Sequence, residues 1–248
     1  MQQQVTVPEG RPLSQLERLA DTFVAPSKTF TDIRRNASWW LPVLLVCAFS
    51  LAFAYVVLHK VGLPTLVDSV VHSSGSLEDR ISNASPGDAA RIRSSIEMQF
   101  RFMYIAPVFI VLAGCVIAGL FLATANFGFG GRASYSQMLA VWFYGTLPLA
   151  FISLLTIVTL LAGMQSDSFN IKNTLGTNAG YYLQGGGSPR WLITLLSSVD
   201  VFAAWSAVLL TIGVSIVAGI KRGAAAVVVF GWWALYVLGQ TAMAAISG

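Results

Sequence analysis

Long blocks of apolar residues without a single charge dominate the chain, and shorter polar segments separate them. A helix rises 1.5 Å per residue, so about 20 apolar residues are needed to cross roughly 30 Å of hydrocarbon. The blocks therefore predict an all-α membrane protein whose core is a bundle of five transmembrane helices. The predicted spans are Trp39–Leu58, Phe102–Asn126, Gln137–Gly163, Val201–Ile220 and Ala224–Ile246.

Residues 1–38 are mostly polar, but their apolar positions follow a helical period. Ser14 and Glu17 fit a capping box, and a second short helix is expected after Pro26, with Phe30 and Ile33 on one face. The apolar face of the first helix comprises Leu16, Leu19, Ala20 and Phe23. Two interpretations remain open: this amphipathic segment lies on the cytoplasmic leaflet, or it packs on the bundle.

The pattern divides the chain into a cytoplasmic amphipathic segment, 1–38, and a membrane domain, 39–248. Two longer polar stretches, 60–101 and 164–200, are predicted to be loops on the outer side. Ser85-Pro86 is typical of a helix start and predicts a helix that projects from the membrane before the second span. Ser188-Pro189 predicts a short interfacial helix over 190–198.

Composition agrees with a lipid-facing surface. Hydrophobic residues make up 55% of the chain and charged residues only 10%, against about 25% charged in soluble proteins. The basic residues are scattered, so the net charge of +4 does not indicate nucleic-acid binding. The short segments with Arg34, Arg35, Arg132, Lys221 and Arg222 favour an N-terminus inside and a C-terminus outside.

Catalytic chemistry is poorly represented. The two histidines, His59 and His72, have no second ligand at helical spacing, and no phosphate-binding loop motif is present. We therefore expect no enzyme activity, no cofactor and no metal site.

Eight residues remain as candidates for a structural or interaction role: Asp200, Trp205, Pro148, Tyr144, Pro26, Phe30, Gly114 and Gly119. Asp200, at the start of the fourth predicted span, is either a functional acid or the cap of that helix. Pro148 is expected to kink the third span, which creates either a hinge or an adaptation of packing. Gly114 and Gly119 begin small-residue steps suited to close helix contact within the bundle or between protomers.

Several landmarks together resemble the Yip1 family, particularly its bacterial branch. They are Phe23–Phe30 with Pro26, then Trp39–Pro42, Tyr135–Pro148 with Tyr144, Asn173–Asn178, and Ser197–Trp205 followed by Gly213. The resemblance covers residues 15–245 and implies five membrane helices with a cytosolic N-terminus. It implies no reaction. Some bacterial members of this family are associated with MacB-like ABC exporters.

Three functions are consistent with the sequence. The first is a non-enzymatic scaffold or accessory subunit in a bacterial cytoplasmic membrane, in contact with lipid, other membrane proteins or itself, with a MacB-like ABC exporter as one candidate partner. The second is a small transporter or channel-like protein that uses Pro148 and Asp200. The third is a lipid-sensing or membrane-shaping protein that uses the N-terminal segment.

Overall fold

Five apolar helices of membrane-spanning length form the body of the protein. The computed structural model describes residues 11–72, 74–165, 169–171, 173–183 and 187–246. Helices account for nearly all secondary structure in these ranges, and the predicted all-α, five-span fold with an N-terminal amphipathic segment is confirmed. The α-helices are α1 Gln15–Val24, α2 Pro26–Arg35, α3 Trp40–Lys60, α4 Leu63–His72, α5 Gly75–Ser82, α6 Pro86–Arg101, α7 Ala106–Ala123, α8 Tyr135–Gly145, α9 Leu147–Leu161, α10 Arg190–Ser197, α11 Val201–Ala218 and α12 Arg222–Ile246.

The second span is much longer than a bilayer requires. Helix α6 continues through a 3₁₀ turn, Phe102–Ile105, into α7 and a π turn, Thr124–Gly128, which makes one helical rod of 43 residues. At 1.5 Å per residue this rod is about 64 Å long, whereas a bilayer with its headgroups measures about 40–45 Å. The rod is therefore about 20 Å longer than such a bilayer is thick. The predicted start at Ser85-Pro86 is found, with the Ser85 side chain accepting from the Asp88 amide.

The bundle has two ends, which we name after a residue at each. At the Arg132 end, the Arg132 amide donates to the Ala218 carbonyl at 3.0 Å. Gly219 there takes a left-handed φ of 71°, which lets α11 turn sharply into α12. The Asp200 end carries α4, α5, α6 and α10.

The stretch 60–101 was predicted as a loop with a helix only at its end, and this is wrong in part because α4 and α5 precede α6. Leu66, Val67 and Val71 of α4 are buried against the second span and form a second hydrophobic core with Ile96 and Phe100. We call α4, α5 and α6 the platform. Its own core makes it a packed unit rather than a flexible connection.

Candidate functional site

Helices α1 and α2 form a hairpin that packs into the bundle. Phe30 and Ile33 of α2 are fully buried, in the core formed with α8 and α11. A methyl group added at Gly213 would lie 2.9 Å from Cε1 of Phe30 and 2.7 Å from Cγ1 of Val141. Only a glycine at 213 lets α2 and α8 approach α11 this closely.

The tip of the hairpin reaches far along α11. The Phe23 ring lies 5.5 Å from the rings of both Trp205 and Phe151, measured between centroids. Trp205 is near the Asp200 end of α11, whereas Arg34, at the other end of the hairpin, accepts from Gln137 near the start of α8. Of the two interpretations of this segment, packing on the bundle is what the structure shows.

A buried ion pair joins the two helices of the hairpin. Arg18 Nε donates to Asp32 Oδ2 at 2.5 Å, and the two side chains are 0% and 8% exposed. The Arg18 carbonyl accepts from the hydroxyls of Thr22 and Thr29. Such a pair fixes how α1 and α2 pack, because separating it would leave a charge in an apolar interior.

Tyr144 and Pro148 lie where the third span is interrupted. Helix α8 ends at Gly145 and α9 starts at Leu147, with Pro148 in its first turn, so the third span departs from helical geometry at the single residue Thr146 (φ −93°, ψ 0°). The fully buried Tyr144 hydroxyl donates to Gln15 Oε1 at 2.9 Å and thereby holds the start of the hairpin. Pro26 begins α2 directly after the Ala25 turn and so defines the tip of the hairpin.

Asp200 caps α11 and ties the outer loop to it. Its Oδ1 accepts from the amides of Phe202 and Ala203 at 2.8 and 3.3 Å, and its Oδ2 accepts from the Thr177 hydroxyl. Asn178 bridges to Asp200 through the backbone and pairs its side-chain amide with that of Asn173. The Ser197 hydroxyl accepts from the Asn173 side-chain amide at 3.1 Å. We call these five polar residues the Asp200 cluster: Asn173, Thr177, Asn178, Ser197 and Asp200.

The two glycines of α7 differ in their surroundings. A methyl group on Gly114 would lie 2.8 Å from Cζ of Phe143 and 2.9 Å from Nε1 of Trp142, so this glycine sets the distance between α7 and α8. Gly119 has ordinary space, with Tyr135 at 3.9 Å. Close contact within the bundle therefore depends on Gly114 and not on Gly119.

A large crevice extends from the space between α7, α8, α11 and α12 to the platform, where Asp68 and His72 line it, and its volume over this whole length is about 2160 Å³. Helix α12 contacts α10 at one end and the Thr124–Gly128 turn at the other, where Trp232 Nε1 donates to Thr124 Oγ1 at 3.0 Å. Polar residues of the Asp200 cluster and of α10 lie at its mouth, and apolar residues line its depth. Among the described residues, no group of three His, Cys, Asp or Glu side chains is placed to hold a metal ion.

The structure brings four of the eight candidate residues to the hairpin and its contacts: Pro26, Phe30, Tyr144 and Trp205. Asp200, Pro148, Gly114 and Gly119 lie elsewhere. Arg18 and Asp32 were missed because a single polar residue within a helix does not reveal its partner. A methyl group on Gly145 would lie 2.6 Å from Cδ2 of Leu210, and this glycine, like Gly213, could have been suspected as a small residue inside an apolar span.

Comparison with known protein families identifies the family of the chain. The model of the Yip1 domain family matches residues 20–243, which is nearly the whole chain. No curated protein and no solved structure matches the chain. The matched range includes the hairpin from Ala20 onward, the five spans and the Asp200 cluster.

Proposed function

The chain belongs to the Yip1 family, and we propose that it is a non-enzymatic scaffold or accessory subunit of a membrane complex in a bacterial cytoplasmic membrane, with a MacB-like ABC exporter as its partner. In this proposal the N-terminus and the Arg132 end face the cytoplasm. The Asp200 end, with the platform, faces outward.

The observation that carries the proposal is the projecting platform. It stands on a helical rod about 20 Å longer than the membrane and is packed on its own apolar core, which also takes in Val57 of α3, Leu160 of α9 and Phe169. A rigid unit that is held to the spans in this way keeps a constant geometry outside the bilayer. Constant geometry is what a docking surface requires and what a loose loop lacks.

The surface of the platform is charged rather than apolar. The side chains of Arg91 and Asp88 are 86% and 61% exposed, and Arg93 pairs with Asp68 at 2.6 Å while both remain near half-exposed. Rim charges of this kind steer association and set specificity more than they add affinity. We therefore expect a partner that binds here to do so with a marked dependence on ionic strength.

The test is co-purification from the native host in mild detergent, with the tagged full-length chain and antibodies against the exporter. Arg91→Glu should reduce exporter recovery because it reverses an exposed platform charge. Arg222→Glu, at the opposite end of the bundle, is the matched control and should leave recovery unchanged. Recovery that is the same for both variants, or the absence of the exporter from the wild-type preparation, would contradict the proposed partner.

The other two functions receive less support. Both carboxylate oxygens of Asp200 are engaged in the helix cap and the loop, which favours a structural role over ion transport. The N-terminal hairpin buries Phe30 and Ile33 in the bundle, so those side chains are not available to sense the lipid surface.

A further inference from the structure

The crevice between α7, α8, α11 and α12 is large enough to hold a lipid-sized ligand, and it opens toward the lipid-facing surface. Its volume of about 2160 Å³ is roughly twice the upper end of ordinary small-molecule pockets, which measure about 300–1,000 Å³. Leu235 and Tyr236 of α12 line it and are 60% and 62% exposed, so its lip is on the lipid-facing surface. A ligand can therefore enter sideways from the bilayer.

The lining of the crevice changes from polar to apolar along its length. Its mouth carries polar residues of the loop, of α10 and of the platform: Asn173, Ser188, Arg190, Ser197, Asp200, Asp68 and His72. Its depth is lined by Ile117, Phe121, Leu210, Val229 and Trp232. From Ala244 near the mouth to Val229, α12 rises by about 22 Å. This is the polarity profile of a molecule with one polar end and long hydrocarbon chains.

One buried hydroxyl in the wall lacks a partner. Ser206 of α11 is 3% exposed and lines the crevice, and its Oγ has no hydrogen-bond partner among the described residues. Hydroxyls inside helices commonly donate to the carbonyl four residues earlier. Thr211 and Thr146 do so at 2.8 Å, but Ser206 does not. Because a buried polar group without a partner is costly, this donor fits an acceptor supplied by a ligand.

We propose that the crevice binds one phospholipid from the leaflet at the Asp200 end. Its phosphate lies at the mouth near Arg190, an ester carbonyl accepts from Ser206, and its acyl chains run along α7 and α12 to Trp232. Ser206 lies about 9 Å along α11 from Asp200, and so deeper in the crevice than the polar mouth. The lipid completes the wall that α7 and α12 leave open.

The test uses the full-length protein in vesicles of phosphatidylethanolamine and phosphatidylglycerol that contain a phosphatidylethanolamine with a photoactivatable diazirine in one acyl chain. After illumination, labelled residues are mapped by mass spectrometry. We expect labelling at Ile117, Phe121 and Val229 that saturates and is competed by unlabelled phosphatidylethanolamine. Labelling spread evenly over all lipid-facing helices without competition would overturn the proposal, as would a cross-link from the crevice to a second copy of the chain.

Two matched variants locate the site. Ala203→Trp fills the crevice and should abolish the saturable labelling, whereas Ala204→Trp, one residue away on the exposed side of α11, should retain it. Ser206→Ala removes one hydrogen bond with little change in volume, so competition should weaken by about two- to tenfold. If Ala203→Trp fails to fold, the Ser206→Ala variant tests the proposal by itself. Competition by unlabelled phosphatidylethanolamine that is unchanged in Ser206→Ala would refute the assigned ester contact and with it the site.

Discussion

A methyl group at Gly213 tests whether the N-terminal hairpin is part of the membrane core. Gly213→Ala places a Cβ 2.7 Å from Cγ1 of Val141 and 2.9 Å from Cε1 of Phe30. Real Cβ atoms do not approach this closely, so α2 or α8 must move. Forcing extra volume into a packed core costs about 1–3 kcal/mol.

The same change has an opposite effect elsewhere in the bundle. At Gly231 in α12 an added Cβ meets nothing within 4 Å. There the alanine contributes only its better helix propensity, which stabilises by about 0.5–1 kcal/mol. Because that gain applies at both positions, the expected net effect at Gly213 is a loss of between about 0 and 2.5 kcal/mol. The two variants should therefore differ by about 1–3 kcal/mol.

Thermal unfolding in detergent, followed by tryptophan fluorescence, measures the difference. For a chain of this size about 2–4 °C correspond to 1 kcal/mol, so Gly213→Ala should melt several degrees below Gly231→Ala. Val141→Ala in the same chain as Gly213→Ala should restore part of the loss, because it removes the nearer of the two contacts. Equal melting temperatures for Gly213→Ala and Gly231→Ala would show that α2 does not pack against α11 as described.

Three further predictions concern the same fold and use the same unfolding measurement. Phe30→Ala should cost about 3–5 kcal/mol because the ring is fully buried, whereas Leu16→Ala, at a side chain 73% exposed, should change stability by no more than about 0.5 kcal/mol. Asp32→Asn should cost about 3–5 kcal/mol by leaving Arg18 unpaired, and the double replacement Arg18→Met with Asp32→Leu should be much milder; a double variant as unstable as the single one would contradict this account of the pair. Asp200→Ala should cost about 0.5–2 kcal/mol through the lost cap and Asp200→Asn less, so equal losses would show that capping is not its main role.

The positions of the five spans could be read from the sequence because they depend on local composition. A charge-free block of sufficient length has few alternatives to crossing the bilayer, and predicted ends such as Val201 are those of the structure. The capping box at Ser14 is equally local, and both of its hydrogen bonds are present. The pKa of the Glu17 carboxyl is lowered by its hydrogen bonds with the amide and the hydroxyl of Ser14, and further by the positive charge of Arg11.

What could not be predicted depends on contacts between distant segments. Phe30 has the same helical spacing whether it faces lipid or Gly213, and only the packed structure distinguishes the two. Helix α4 was assigned to a loop because the polar residues around it dominate the stretch, although Leu66 and Val67 carry a buried face. The crevice is a gap between helices, so no single segment contains a pattern that predicts it.

Helix α11 connects these features because it carries a different contact on each side. About half of its apolar window is buried, against a third or less for the other spans. One side holds the hairpin through Trp205 and Gly213, while Ala203, Ser206 and Leu210 form a stripe along the crevice. Its cap, Asp200, joins it to the outer loop through the hydrogen bond from the Thr177 hydroxyl. A scaffold that holds a partner outside the membrane needs a helix fixed on all sides, and a bound phospholipid would fix the one side that the protein leaves open.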